Sequence, residues 1–124
     1  MNRDQLKELR PLIASASTEN TKEIEHFQNE VLRPILKFQQ TFFEPYFKGN
    51  IQFMKLISEK KSRLEFQNKI VQFISNQANI KHQLIGSVIG MLTTEELAFY
   101  ISNNAEINKR ISQMLAQRIS DTFY

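Results

Sequence analysis

Two histidines and several nearby glutamates are the residues of this chain best suited to do chemistry. Glu23 and His26 have the Glu-x-x-His spacing with which one helix face presents two ligands to a metal ion in carboxylate-bridged bundles. Glu30 lies four residues beyond His26 and can share that face, which makes it a third candidate ligand. The motif occurs once, since no glutamate precedes His82 by three residues, and a closed site would need further ligands. A solvated histidine beside a carboxylate is the simpler interpretation, and we expect neither a metal nor a cofactor.

Other catalytic and redox motifs are missing from the sequence. It has no cysteine, which excludes disulfide bonds, thiolate metal sites and a cysteine nucleophile. It also has no glycine-rich phosphate loop, no nucleophile elbow and no paired-histidine zinc motif. An enzyme, in the form of a metal-dependent lyase or isomerase, is therefore the least favoured of three functional hypotheses.

A basic stretch in the middle of the chain supports a second hypothesis, the binding of RNA or the ribosome. The chain carries 16 Lys and Arg against 13 Asp and Glu, a net charge of +3. A basic helix face binds phosphates with an affinity that falls as salt rises. Glu59 and Glu65 interrupt the stretch, so an ordinary solvated helix face is the simpler explanation. The predicted basic patch consists of Lys55, Lys60, Lys61, Arg63 and Lys69.

Glycines and surplus apolar residues support the leading hypothesis, a non-enzymatic protein-interaction module that forms a homodimer or binds another protein. Gly86 and Gly90 form a Gly-x-x-x-Gly motif, which lets two helices approach closely, either within the chain or between two copies. A long predicted helix also carries more apolar side chains than a single stripe requires. The predicted interaction surface consists of Leu32, Leu36, Phe43, Phe47, Gly86 and Gly90.

A helical repeat of apolar residues predicts that long helix over residues 21–48. Its stripe has spacings of three or four residues throughout and comprises Ile24, Phe27, Val31, Ile35, Phe38, Phe42 and Tyr46. Pro34 lies inside the stripe, so we predict a continuous helix that is kinked there. Pro45 follows eleven residues later, which places both prolines on one side of an uninterrupted α-helix. The turn signal Lys48-Gly49-Asn50 puts Pro45 in the last turn.

Shorter helices are predicted on both sides of the long one. Residues 1–20 are predicted to form a short helix and a polar loop. Residues 51–124 contain the remaining amphipathic segments, with capping-box spacing at Thr93 and Glu96 and again at Asn103. With 124 residues and no strand pattern, the whole chain is predicted to be one all-α domain, a bundle of five to seven helices around the kinked helix.

No segment of the sequence predicts secretion or a membrane span. The first residues lack the apolar core of a signal peptide. The longest apolar stretch, from Leu84 to Leu92, is about half as long as a membrane span requires. We therefore expect a cytoplasmic protein with no membrane partner.

Two stretches resemble a family of short, uncharacterised helical bacterial proteins that is often filed under the name glyoxalase. They are TENTKEIEHFQNEVLRPILKFQQ and LIGSVIGMLTTEELAFYISNNAEINKRISQMLAQRI. The resemblance implies a helical fold. The name implies isomerisation of a glutathione or thiol hemithioacetal at a metal held by His and Glu on paired βαβββ units. The chain has no strand pattern of that kind, so we transfer no catalytic residue from the family.

Overall fold

The computed structural model describes residues 2–12, 22–59 and 62–124 of the chain. These residues form eight α-helices, one 3-10 helix and one π turn, without a β-strand, which confirms the all-α prediction. In chain order the elements are the 3-10 helix Arg3–Leu9, α1 Glu23–Phe27, the π turn Gln28–Leu32, α2 Arg33–Phe38, α3 Gln40–Lys48, α4 Ile51–Ser58, α5 Arg63–Asn76, α6 Ala78–Ile89, α7 Thr94–Ser102 and α8 Asn104–Phe123. The predicted polar loop up to residue 20 and the basic residues Lys60 and Lys61 lie outside the described part. No helix in the described part combines the length and the apolar character of a membrane span.

The long helix comprises α1, the π turn, α2 and α3, and corresponds to the helix predicted over residues 21–48. It continues through Pro34, because the Arg33 N–H donates to the Gln28 carbonyl oxygen five residues back. This wider turn gives the proline ring room beside the preceding carbonyls, which the ring would crowd in an α-helix. The break in helical geometry comes later, at Gln39, whose ψ of 1° is far from the α-helical value of about −42°.

The two prolines of the long helix, which the sequence predicts on one side of it, differ in burial. Pro34 is buried, whereas Pro45 is exposed in the last turn of α3. The break at Gln39 lies between them, so an uninterrupted period of 3.6 residues no longer relates the two positions. The predicted placement of Pro45 in the last turn is confirmed.

The π turn also changes which apolar strip of the long helix faces the core. A π turn holds about one residue more than an α turn, so it rotates the following residues by roughly 100° around the axis. Ile35, a member of the predicted stripe just beyond the turn, stays fully buried, whereas the later members Phe38 and Phe42 are left 38% and 40% exposed. The strip that faces inward instead is at most 1% exposed and consists of Leu32, Leu36, Phe43 and Phe47.

Helix α8 occupies the centre of the fold, where it contacts the π turn, α5, α6 and α7. Its buried ridge recurs every four residues, as predicted, and consists of Ile107, Ile111, Leu115 and Ile119. Burial of each such side chain contributes about 1.5–3 kcal/mol. The Phe53 ring centroid lies 4.5 Å from that of Phe47 and 5.1 Å from that of Phe123, which joins α4 to the long helix and α8. The buried apolar side chains form one continuous core, as in a single helical domain.

Residues 2–12, here called the strap, lie against the end of α6 and the beginning of α7. Arg3 and Arg10 hold the strap by donating to main-chain carbonyls beyond the last turn of α6, those of Gly90, Met91 and Leu92. These carbonyls lie just past the C-terminal end of α6, where the helix dipole favours positive charge. No residue of the 3-10 helix in the strap is buried. The arginines therefore hold the strap in place where apolar packing does not.

Candidate functional site

A cavity of about 750 Å³ lies between the strap, the first part of the long helix and α7. Its wall includes the three candidate metal ligands, Glu23, His26 and Glu30, so their helical spacing does bring them to one side. Glu23 and His26 are exposed, and Glu30 is partly buried. Within the described residues, no group of three or more His, Cys, Asp or Glu side chains is placed to hold a metal ion. The three candidates share a cavity without converging on one point.

Apolar side chains form the floor of this cavity. The ring centroids of Phe27 and Phe99 lie 4.9 Å apart, a contact that joins the long helix to α7. Val31 and Pro34 continue the floor along the long helix. The sequence spacing could not reveal Phe99 as part of this site, because α7 meets α1 only through the tertiary fold. Chemically, the cavity offers carboxylates, one imidazole and the cationic side chains of Lys7 and Arg10 above an apolar surface.

An ion pair between Arg10 and Glu96 closes one side of the cavity. Arg10 donates to both carboxylate oxygens of Glu96, at 2.6 and 2.8 Å. Burial alone would raise the pKa of Glu96, but hydrogen bonds from Arg10 and Thr93 and the charge of Arg10 outweigh burial and lower it. Glu96 is therefore a fixed anion at neutral pH and is unsuited to donate a proton.

The predicted interaction surface is wrong for its four members on the long helix. All four lie in the core, because the π turn rotates them inward: Leu32, Leu36, Phe43 and Phe47. The other two members are exposed, Gly86 on α6 and Gly90 directly after its last residue. A Cβ built at Gly86 meets no atom within 4 Å, whereas one at Gly90 lies 3.2 Å from the Gly86 carbonyl oxygen. Gly86 thus leaves an open notch at the surface and does not serve close packing within the described chain.

Two hydrogen bonds align the long helix with α6 beside this notch. Gln39 donates from Nε2 to the Ser87 carbonyl oxygen at 2.9 Å, and the Tyr46 hydroxyl bonds to Gln83. The bonded residue numbers increase along the long helix and decrease along α6, so the two helices are antiparallel. Phe42 lies between the two contact points on the long helix, and Gly86 lies between them on α6.

The aromatic–glycine face is the surface that results, and we define it as Phe38, Phe42, Gly86 and Gly90. It combines two large, partly exposed rings with a notch on the neighbouring helix. The exposed positions Pro45 and Gln83 near Phe42 and Gly86 carry no charge, and the exposed Lys37 directly before Phe38 lies at the edge of the face. Protein interfaces are enriched in aromatic residues and depleted of charge at their centres, and this face has both properties. The sequence contained the signal for it, since Phe38 and Phe42 belong to the predicted stripe.

The described members of the predicted basic patch do not form one face. Lys55 lies on α4, whereas Arg63 and Lys69 lie on α5. The latter two are six positions apart, so they point about 120° away from each other around the helix. Arg63 is also engaged in an ion pair with Asp121 at 2.6 Å. The described residues of the patch therefore provide no concentrated basic surface.

Comparison with known proteins provides no functional information about this chain. No protein-family model matches it. Neither a curated protein nor a solved structure has a significant match to it. The resemblance to the glyoxalase-labelled family stays a prediction.

Proposed function

We propose that this protein is a non-enzymatic protein-interaction module that forms a homodimer through its aromatic–glycine face. One observation carries the proposal: Phe38 and Phe42 are exposed beside a notch in which a Cβ at Gly86 would touch nothing. Burial of large aromatic side chains dominates the energetics of protein interfaces, and a notch can receive such a side chain.

A second copy is the occupant that this shape favours. In a symmetric dimer the same surface patch of both subunits meets across a two-fold axis, so the patch must complement itself. Here the protruding rings and the notch lie side by side on two antiparallel helices. A two-fold rotation can therefore place the Phe42 ring of each copy against Gly86 of the other.

Sedimentation velocity over a wide range of protein concentration tests this proposal. We expect a concentration-dependent monomer–dimer equilibrium in the wild type. Phe42→Gln removes the protruding ring, and Gly86→Leu fills the notch without a clash in the monomer. Both variants are expected to remain monomeric, with unchanged helix content by circular dichroism.

Leu64→Gln is the matched control, because Leu64 is an exposed apolar residue on α5, away from this face. It is expected to dimerise like the wild type. A wild type that stays monomeric at the highest concentration would refute the proposal, and so would dimerisation that survives both Phe42→Gln and Gly86→Leu. RNA binding through the predicted basic patch and a glyoxalase-like isomerase activity remain untested predictions.

A further inference from the structure

A second cavity, of about 350 Å³, lies where α5, α6 and α8 meet. The three helices contact one another in pairs, so the packing of the core holds the cavity wall in place. Ile74 of α5 and Ala116 of α8 are buried apolar side chains in this wall. Ligand pockets typically have volumes of roughly 300–1,000 Å³, so a cavity of this size suits a small molecule.

Two lysines supply the charge at this cavity. Lys81 of α6 and Lys109 of α8 line it, and within the described residues no Asp or Glu does so. Neither lysine forms an ion pair in the described part of the chain. Glu106, three residues before Lys109, pairs with Arg110 at 3.1 Å instead. The cavity beside the strap differs, because both carboxylates and cations line it.

Uncharged side chains add hydrogen-bond donors to the same wall. The Tyr100 hydroxyl donates to Asn108 Oδ1 at 2.7 Å, so the Asn108 amide offers the cavity its N–H donors. Ser112 lies one turn beyond Asn108 on α8 and also lines the cavity. Its Oγ is buried and has no hydrogen-bond partner in the described chain. Positive charge combined with N–H and O–H donors is the chemistry that binds an anion.

The first turns of two helices lie beside this cavity. Lys81 is the fourth residue of α6 and Ala105 is the second residue of α8, and both line the cavity. Neither helix receives a capping hydrogen bond from its N-cap side chain. The first N–H groups of a helix have no partner within it and carry partial positive charge. Both helix starts therefore add to the positive potential that the lysines create.

We propose that this cavity binds a small organic carboxylate with an apolar body. The carboxylate accepts charge-assisted hydrogen bonds from Lys81 and Lys109, and the apolar body is buried against Ile74 and Ala116. Inorganic phosphate would match the lysines but would leave the apolar wall uncovered. None of the described lining residues belongs to the aromatic–glycine face, so this site is independent of the proposed dimer.

A heteronuclear NMR titration with sodium hexanoate, at constant ionic strength, tests this site. We expect saturable chemical-shift changes centred on the lining residues of α5, α6 and α8. Hexan-1-ol keeps the apolar chain without the charge, and inorganic phosphate keeps the charge without the chain. Each should bind at least about tenfold more weakly than hexanoate, as should hexanoate to Lys81→Gln or Lys109→Gln, because each loses one class of contact. Ala105→Leu adds bulk at an exposed position of the wall and should block hexanoate.

Lys55→Gln is the control for the loss of one positive charge, since Lys55 is exposed on α4 and does not line the cavity. Ala98→Leu is the control for added bulk, at an exposed position of α7 outside the cavity. Both should bind hexanoate like the wild type. The proposal fails if hexanoate causes no saturable shifts, or if hexan-1-ol or phosphate binds as tightly as hexanoate. It also fails if Lys109→Gln binds like Lys55→Gln, or if Ala105→Leu binds like Ala98→Leu.

Discussion

Arg10 and Glu96, 86 positions apart in the chain, form a two-point ion pair whose side chains are only 7% and 11% exposed. The Glu96 carboxylate also accepts the Thr93 N–H at 2.9 Å, and Thr93 Oγ1 accepts the Glu96 N–H in return. One carboxylate therefore completes the capping box of α7 and anchors the strap. A single change at Glu96 should affect both.

Glu96→Gln is expected to lower the free energy of unfolding by about 2–4 kcal/mol, because it leaves the Arg10 guanidinium largely buried without its counter-charge. Undocking of the strap limits the loss, since the 3-10 helix buries no residue. Urea denaturation followed by circular dichroism measures the change. Glu95→Gln, at the exposed neighbouring position, is the control and should change stability by at most about 0.5 kcal/mol. Equal stabilities of the two variants would contradict this role of the ion pair.

The same carboxylate predicts how stability depends on acid. Because the folded-state pKa of Glu96 lies below its ordinary value of 4.5, the folded state binds this proton less readily than the unfolded chain does. The stabilisation by Glu96 is therefore fully present above the ordinary pKa and is lost as the pH falls through the lowered one. Urea titrations of wild type and Glu96→Gln between neutral and acidic pH should give a stability difference that is constant above pH 4.5 and shrinks below it. A difference that persists unchanged into strong acid would contradict the assignment.

The capping box at Thr93 illustrates what the sequence could predict. A Thr with Glu three residues later is a local signal, and the structure forms both of its hydrogen bonds. The same spacing at Asn103 predicted a second capping box, and this prediction is wrong. The Asn103 side chain donates to the Phe99 carbonyl oxygen and forms no capping hydrogen bond with α8. Arg10 had no local signal at all, since its partners come from the far end of α6 and from α7.

The π turn explains why the fold class was predictable but the faces of the long helix were not. Apolar spacing identifies a helix, but a period of 3.6 residues cannot register the extra residue of a π turn. The sequence therefore assigned Phe38 and Phe42, which are partly exposed, to the core-facing stripe. It did not assign Phe43, which is fully buried, to that stripe. The prediction placed Glu23, His26 and Glu30 correctly on one side of the helix. Glu23 and His26 precede the π turn, and Glu30 lies within it.

Gly86 offers a test of the notch in the folded monomer. Its φ is not positive and a Cβ would touch nothing, so Gly86→Ala should stabilise the monomer by about 0.5–1 kcal/mol through helix propensity. Gly90→Ala should gain less, because its Cβ would lie 3.2 Å from the Gly86 carbonyl oxygen. Chemical denaturation at a protein concentration low enough to keep both variants monomeric measures the difference. If Gly86→Ala destabilises the monomer, the notch is not open.

Ser120 provides the last prediction, since it places a hydroxyl inside the core. The residue is 1% exposed, and its Oγ has no hydrogen-bond partner in the described part of the chain. A buried hydroxyl without a partner loses its bonds to water and gains nothing in return, whereas alanine at the same position has no polar group to satisfy and favours the helix.

Ser120→Ala is therefore expected to raise the free energy of unfolding by about 1 kcal/mol, and the melting temperature by roughly 4 °C. Ser75→Ala, at an exposed position of α5, is the matched control, because its hydroxyl stays in water and only helix propensity changes. Calorimetry of the wild type and both variants compares the two effects. A loss of stability in Ser120→Ala would mean that the hydroxyl has a partner in the folded protein, and the argument from its burial would then be wrong.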